Sequence, residues 1–373
     1  MEQPKKAISE ELKNWSIKMQ YAKLGNTGVF VSRFCLGAMT FGGADNPAGN
    51  AIGRLDQTET DAIVGQALDA GINFIDTADV YGGGNSEKLV GQALKGKRHD
   101  VVLATKFSGR TGPGPNQVGQ SRLHMMRSLE ESLHRLQTDH IDLYQIHNLD
   151  PLTPLEEMLR SLDDAVRQGK IRYIGCSNLA AWQLMKSLGI SSRDKLSSFV
   201  SVQSFYSLAG RDIEDELVPA ITDAGLGLLC WSPLAGGLLS GKFDRSGSTD
   251  ANSRRAKIQF PPVDQEKAFD VIESLKTIAA RHSASAAQIA LAWLLSRPVV
   301  TSVIVGIKKP EQLADNLKAF DIKLSDDDLK ALDEVSRLPA RYPGWIQTYN
   351  AKARVPQGYE YDGASWSLGE RPV

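Results

Sequence analysis

At 373 residues the chain is long enough to bury one large core, and α/β barrels of this length fold as a single domain. Its composition, 42% hydrophobic and 23% charged, is that of an ordinary soluble globular protein, and a net charge of −1 gives no general reason to expect nucleic acid or an anionic membrane as partner. No window approaches about 18 consecutive apolar residues, which excludes a membrane span, and the N-terminus has no apolar centre to act as a secretory signal.

Residues 1–18 read as a mobile or surface-docked extension. Next comes YAKLGNTGVFVSRF, two short apolar runs around Gly25-Asn26-Thr27-Gly28, which predicts a hairpin suited to covering the bottom of a barrel. Eight β-like runs follow: 34–37, 72–77, 100–106, 141–147, 171–177, 199–203, 226–231 and 301–306. Each is followed by a longer stretch of helical periodicity, and several are apolar on both faces, as strands covered by helices should be. The pattern predicts a (β/α)8 TIM barrel over residues 19–339, with an N-terminal hairpin at its bottom and an aromatic C-terminal tail over 340–373. That tail carries Tyr342, Trp345, Tyr349, Tyr359, Tyr361 and Trp366. A doubly wound sheet would carry Gly-x-Gly-x-x-Gly between strand and helix; Gly82-Gly83-Gly84 and Gly112, Gly114, Gly119 both fail that spacing.

Helix starts are marked by Asp56 with Glu59, by Thr153-Pro154 with Glu156 as a capping box, and by Ser325 with Asp326–Asp328. Three insertions, at 42–56, 107–120 and 243–263, each follow a strand and so fall at the barrel mouth. Cys35, Cys176 and Cys230 sit in or beside apolar runs and read as buried, reduced thiols, which fits a cytoplasmic protein; a catalytic cysteine is the sharper alternative.

Polar residues gather at the ends of the second, third and fourth strands. Asp76 closes the second, Tyr81 follows in the loop TADVYGGG, Lys106 ends the third and His147 the fourth. Taken singly, each has a bland role as cap, packing ring, snorkelling cation or hydrogen-bonded structural residue. Together on adjacent strand ends they describe a proton relay. Tyrosine's pKa of about 10 is too high for easy transfer at neutral pH, and a lysine held charged by an aspartate would lower it. A histidine beside them could fix a substrate oxygen.

The ordered set Asp76, Tyr81, Lys106, His147, embedded in FIDTADVYGGGNSEKLVGQAL, LATK and DLYQIHNLD, resembles the catalytic tetrad of the aldo-keto reductases, over about Leu24 to Val335. The resemblance implies NADP(H)-dependent hydride transfer between a carbonyl and an alcohol. It places Ser177, Asn178 and Gln203 at the nicotinamide carboxamide and Trp231 against the nicotinamide ring. Tryptophan there resembles the branch containing potassium-channel β-subunits and aryl-alcohol-dehydrogenase-like proteins. Ser232, Pro233, Leu234, Gly236, Gly241, Lys242 and Arg255 would hold the cofactor from the loop after the seventh strand. Gly306, Lys308, Lys309, Gln312 and Asn316 would do so after the eighth, where barrels commonly bind phosphate. Many reductases have Lys-Ser where this chain has Gly306-Ile307, and arginine in place of Gln312, so the 2′-phosphate would fall to Lys308 and Lys309, and NAD(H) stays open. The expected substrate is a small carbonyl or alcohol, aromatic or bulky and apolar. The competing readings are a Schiff-base aldolase built on Lys106 and a cofactor-binding regulatory subunit like the channel β-subunits.

Overall fold

The computed structural model describes residues 19–43, 52–248, 253–351, 354 and 356. A hairpin of β1 (Tyr21–Lys23) and β2 (Phe30–Ser32) leads into β3 (Phe34–Gly37). Six further barrel strands follow in order: β4 (Phe74–Asp76), β5 (Val102–Phe107), β6 (Ile141–Ile146), β7 (Ile171–Ser177), β8 (Phe199–Phe205) and β9 (Gly227–Trp231). After the short hairpin β10 (Phe243–Asp244) and β11 (Gly247–Ser248), β12 (Val300–Gly306) pairs with both β9 and β3 and closes an eight-stranded barrel. Every barrel pairing is parallel, so all C-terminal strand ends open on one face. The predicted fold is what the chain adopts.

Two apolar layers make the core. The larger lies between the strands and the surrounding helices; the smaller fills the barrel interior with Cys35, Phe74, Ala104, Leu143, Leu229 and Ile304. The hairpin plugs the bottom, as expected, by adding Leu24 and Val31 to that inner layer. Gly25 is required there. Its φ is +55°, and a Cβ would meet the Val200 carbonyl oxygen at 2.3 Å.

Helix starts follow the sequence signals with one exception. Helix α1 (Gln57–Asp69) begins on a reciprocal box between Asp56 and Glu59. A helix at Asp326–Ser336 begins on Ser325, with Asp328 as the reciprocal partner. The box expected at Thr153 does not form: the helix starts at Leu155, and the Thr153 hydroxyl donates to the Asp150 carboxylate instead. Asp150 also accepts from the Gln120 and Leu152 amides, and the N-cap falls one residue later on Pro154, whose side chain has no acceptor for a box.

The insertions lie at the strand C-termini. Residues 44–51 of the first and 249–252 of the third are outside the described residues, as are the extension 1–18 and Tyr359, Tyr361 and Trp366 of the tail. The described part of the tail carries a helix at Gly344–Ala351, and Arg341 pairs with Asp212 and Asp215. Tyr342, Pro343, Gly344 and Gln347 share a cavity of about 620 Å³ with Leu179, Met185 and Leu217; no residue of the expected tetrad lines it. No helix among the described residues is long and apolar enough to cross a membrane.

Candidate active site

Side chains in a strand alternate faces, so an interior residue is followed two positions later by another. Phe74, Ala104, Leu143 and Leu229 fill the barrel interior, and two residues beyond each stand Asp76, Lys106, Gln145 and Trp231. The site is therefore the top layer of the barrel interior, where the chain exchanges apolar for polar side chains.

Lys106 is the centre. Its wholly buried ammonium donates to Asp76 Oδ2 at 2.5 Å, to the Thr77 carbonyl at 2.8 Å and to Tyr81 Oη at 3.3 Å. The same nitrogen lies 4.8 Å from the centroid of the Tyr81 ring. His147 meets that ring edge-on, with centroids 5.7 Å apart, and its amide is fixed by the Phe107 carbonyl. The four side chains predicted to converge do converge.

Their protonation follows from burial and from one another. Burial alone would lower the Lys106 pKa, but Asp76 and then Tyr81 outweigh it and push it up, so the ammonium stays charged. His147 is pulled down to about 3, first by burial and then by Lys106, and stays neutral. Tyr81 departs from expectation. Lys106 does pull its hydroxyl down, but burial is the larger influence and leaves the pKa raised, so Tyr81 is a protonated donor at neutral pH.

A second set of expected residues joins the first. The Ser177 hydroxyl donates to the Gln203 carbonyl at 2.9 Å, and Asn178 Nδ2 donates to Ser177 Oγ and to the His147 carbonyl, each at 2.9 Å. The Trp231 indole N–H donates to Asn178 Oδ1 at 3.0 Å. Gln203 Nε2 donates to Asp76 Oδ1 at 2.9 Å, so this set and the relay form one network. Phe260 stacks on Trp231 with centroids 5.9 Å apart, and Phe205 tilts against it at 5.2 Å, which gives the mouth an aromatic wall.

The loop after β9 turns sharply. Ser232 is left-handed at φ +53°, its hydroxyl accepts from the Gly236 amide, Pro233 is buried, and the Leu234 carbonyl accepts from Gly237 and Leu239. Gly236 gives close approach to protein: a Cβ would lie 2.5 Å from the Phe260 carbonyl oxygen. Its neighbour Gly237, at φ +98°, faces open space. Gly241 ends the turn at φ +82°, followed by an exposed, engaged Lys242. After β12, Gly306 leads to half-buried Lys308 and exposed Lys309. Gln312 does not stand free, because its Oε1 accepts from the Lys308 and Lys309 amides and caps its own helix; Asn316 lies one turn on, half-buried.

Arg255, expected at the cofactor, sits inside the loop after β11. It is buried, and its guanidinium donates to the Pro261 carbonyl at 2.5 Å, so it braces the loop from within. Its neighbour Arg254 is half-buried, Tyr81 is the group whose charge opposes its downward pKa shift, and its Nε has no hydrogen-bond partner. Gln145 and Arg254 were both missed. Gln145 had a signal, a polar residue in phase with His147 and with the apolar Ile141 and Leu143 of the same strand; Arg254 had none to separate it from Arg255. The three cysteines are buried, and burial pushes each thiol up, so none is a poised nucleophile. No metal-binding group of His, Cys, Asp or Glu exists among the described residues.

An eight-stranded parallel barrel with a lysine-centred relay at its mouth defines a class, and comparison with known proteins agrees. The aldo/keto reductase family model matches residues 33–337. An uncharacterized oxidoreductase, YrpG, of Bacillus subtilis is 41% identical over 331 residues, covering 85% of this chain and 96% of its own. A rice protein described as a probable voltage-gated potassium channel subunit beta is 38% identical over 314 residues, covering 82% and 92%. Versiconal hemiacetal acetate reductase of Aspergillus parasiticus is 34% identical over 348 residues, covering 87% and 99%. The chain belongs to the aldo/keto reductase family of oxidoreductases.

Proposed function

We propose that this protein interconverts aldehydes or ketones and alcohols with NADP(H), and that Tyr81 is the general acid in reduction and the general base in oxidation. The observation that carries this reading is the Lys106 ammonium shared between Asp76 and the Tyr81 hydroxyl at the barrel mouth. The residues present suit a dinucleotide. Trp231 is part-exposed, Gly237 offers an open left-handed turn, and Arg254 holds a positive charge with an orphaned buried Nε. Ser177, Asn178 and Gln203 would hold a carboxamide, with Trp231 against the ring; Arg254, Lys308 and Lys309 would hold the phosphates. When bound, the nicotinamide supplies or accepts the hydride.

The chain's own side chains handle the proton. His147, kept neutral, has a ring nitrogen to donate to the substrate oxygen and orient it. Tyr81 holds the proton that the new alkoxide takes, and Lys106 steadies the tyrosinate left behind. Asp76 keeps Lys106 charged and in place. A Schiff-base lysine would instead need a depressed pKa, the opposite of what surrounds Lys106.

Trp231, Phe260 and Phe205 favour an aryl or bulky apolar substrate, and in this reading the C-terminal tail adds to the rim of that pocket. Deletion beyond Pro339 is expected to change the substrate profile; an unchanged profile in a folded protein removes the tail from the pocket. A second reading, a regulatory subunit of a channel, draws support from the rice relative's description. The deciding experiment is steady-state reduction of aryl aldehydes with NADPH and NADH. Turnover of roughly 1 to 1000 per second, lost in Tyr81→Phe with nucleotide binding kept, supports the enzyme. Tight nucleotide binding without turnover on any carbonyl supports the regulator.

A further inference from the structure

Asp76 is held from two sides. Lys106 takes Oδ2, while Oδ1 accepts from two side-chain amides, Gln145 Nε2 at 3.0 Å and Gln203 Nε2 at 2.9 Å. The two glutamines also touch each other, with Gln203 Nε2 lying 3.3 Å from Gln145 Oε1. Gln145 therefore uses both ends of its amide inside the barrel, and it is wholly buried. The barrel makes room for it: Gln145 lies opposite Gly175 of β7 in the register, where an added Cβ would come within 3.2 Å of Gln145 Cγ. An amide buried in an apolar strand is costly unless its hydrogen bonds are met, and these are met by the relay and not by the backbone.

We propose that Gln145 is a positioning residue of the relay: its amide, paired with that of Gln203, fixes Asp76 so that the opposite oxygen stays on Lys106, and it ties the placement of Gln203 to the relay. This rests on the function proposed above, since it gives the relay a proton to handle and Gln203 a carboxamide to hold. Gln145 is wholly buried, with its amide on Asp76 and Gln203. It acts through Asp76, whose charge is one of those that set the Tyr81 hydroxyl. Two neutral donors on Oδ1 soften that negative charge, so removing one should raise the Tyr81 pKa further.

The test compares wild type with Gln145→Met and Gln145→Glu. Methionine fills the space and removes the donor. Loss of one hydrogen bond to a charged group predicts a kcat about ten- to a hundredfold lower, with NADPH Kd kept within about threefold. Glutamate keeps the shape and can share one proton with Asp76, so Gln145→Glu is expected to work at low pH and to lose activity through one added ionisation as pH rises. Wild type should lack that limb. Carbon-13 labelling of tyrosine, assigned with Tyr81→Phe, reads the Tyr81 titration in the nucleotide-free protein, where Gln145→Met should move it upward. A folded Gln145→Met with wild-type kcat and an unmoved Tyr81 titration overturns the proposal, as does a loss confined to nucleotide Kd. If Gln145→Met does not fold, Gln145→Glu decides, and a profile without the added limb overturns it. If wild type reduces no carbonyl, the proposed function fails, and the Tyr81 titration alone then decides the role of Gln145.

Discussion

Asp79 stands two residues before Tyr81, buried, and no side chain hydrogen-bonds either carboxyl oxygen. Burial, and next the Glu87 carboxylate, push its carboxyl up from near 3.8 to about 8; Arg135, the Val80 amide and Lys106 oppose the shift. A raised carboxyl pKa means the native state keeps a proton that the unfolded chain gives up. Stability is then lost as pH climbs from about 4 to about 8. Asp79→Asn keeps the shape of the neutral acid and cannot ionise. Between about pH 5 and about pH 8 the full shift would cost wild type about 3 to 4 kcal/mol, at 1.36 kcal/mol per unit. Relaxation around the buried charge absorbs part of this, so the variant should gain about 2 kcal/mol on wild type across that interval. Urea unfolding of both proteins at the two pH values measures it, and subtraction cancels the other titrating groups. A stability difference that is the same at both, within about 0.5 kcal/mol, refutes the reasoning.

Three further outcomes follow from the same geometry. Lys106→Met leaves Asp76 buried without its cation and should destabilise by about 3 to 5 kcal/mol in urea unfolding, part of it recovered when Asp76→Asn is added. Asp56→Ala removes the reciprocal cap of α1, which shares no hydrogen bond with the relay, and should cost about 1 kcal/mol in urea unfolding. With its pKa near 3, His147 should show no titration by proton NMR between about pH 5 and about pH 8; a midpoint near 6.5 would mean that the imidazole is not buried against Lys106.

Much of this was legible in the sequence because period and position carry it. Short apolar runs recurring between helical stretches marked the barrel strands, and the ends of three adjacent strands marked Asp76, Lys106 and His147. Short-range hydrogen bonding fixed the caps at Asp56 and Ser325. What the sequence hid depends on competition between distant groups. Thr153 has the spacing of a cap, but Asp150 collects its hydroxyl along with two amides. Arg254 and Arg255 are chemically alike, and only the Pro261 carbonyl decides which turns inward. The direction of the Tyr81 shift turned on burial outweighing Lys106, a balance that no spacing reports. Three helices end on left-handed Gln137, Lys195 and Ser283, where a glycine would have been the readable signal.

The most direct test of the central claim is titration of the protein with NADPH and with NADH, following tryptophan fluorescence in wild type and Trp231→Phe. The account predicts quenching with tighter binding of NADPH, weakened or altered in signal by the substitution. Binding of neither nucleotide would contradict hydride transfer at this site and leave the barrel standing without its proposed chemistry.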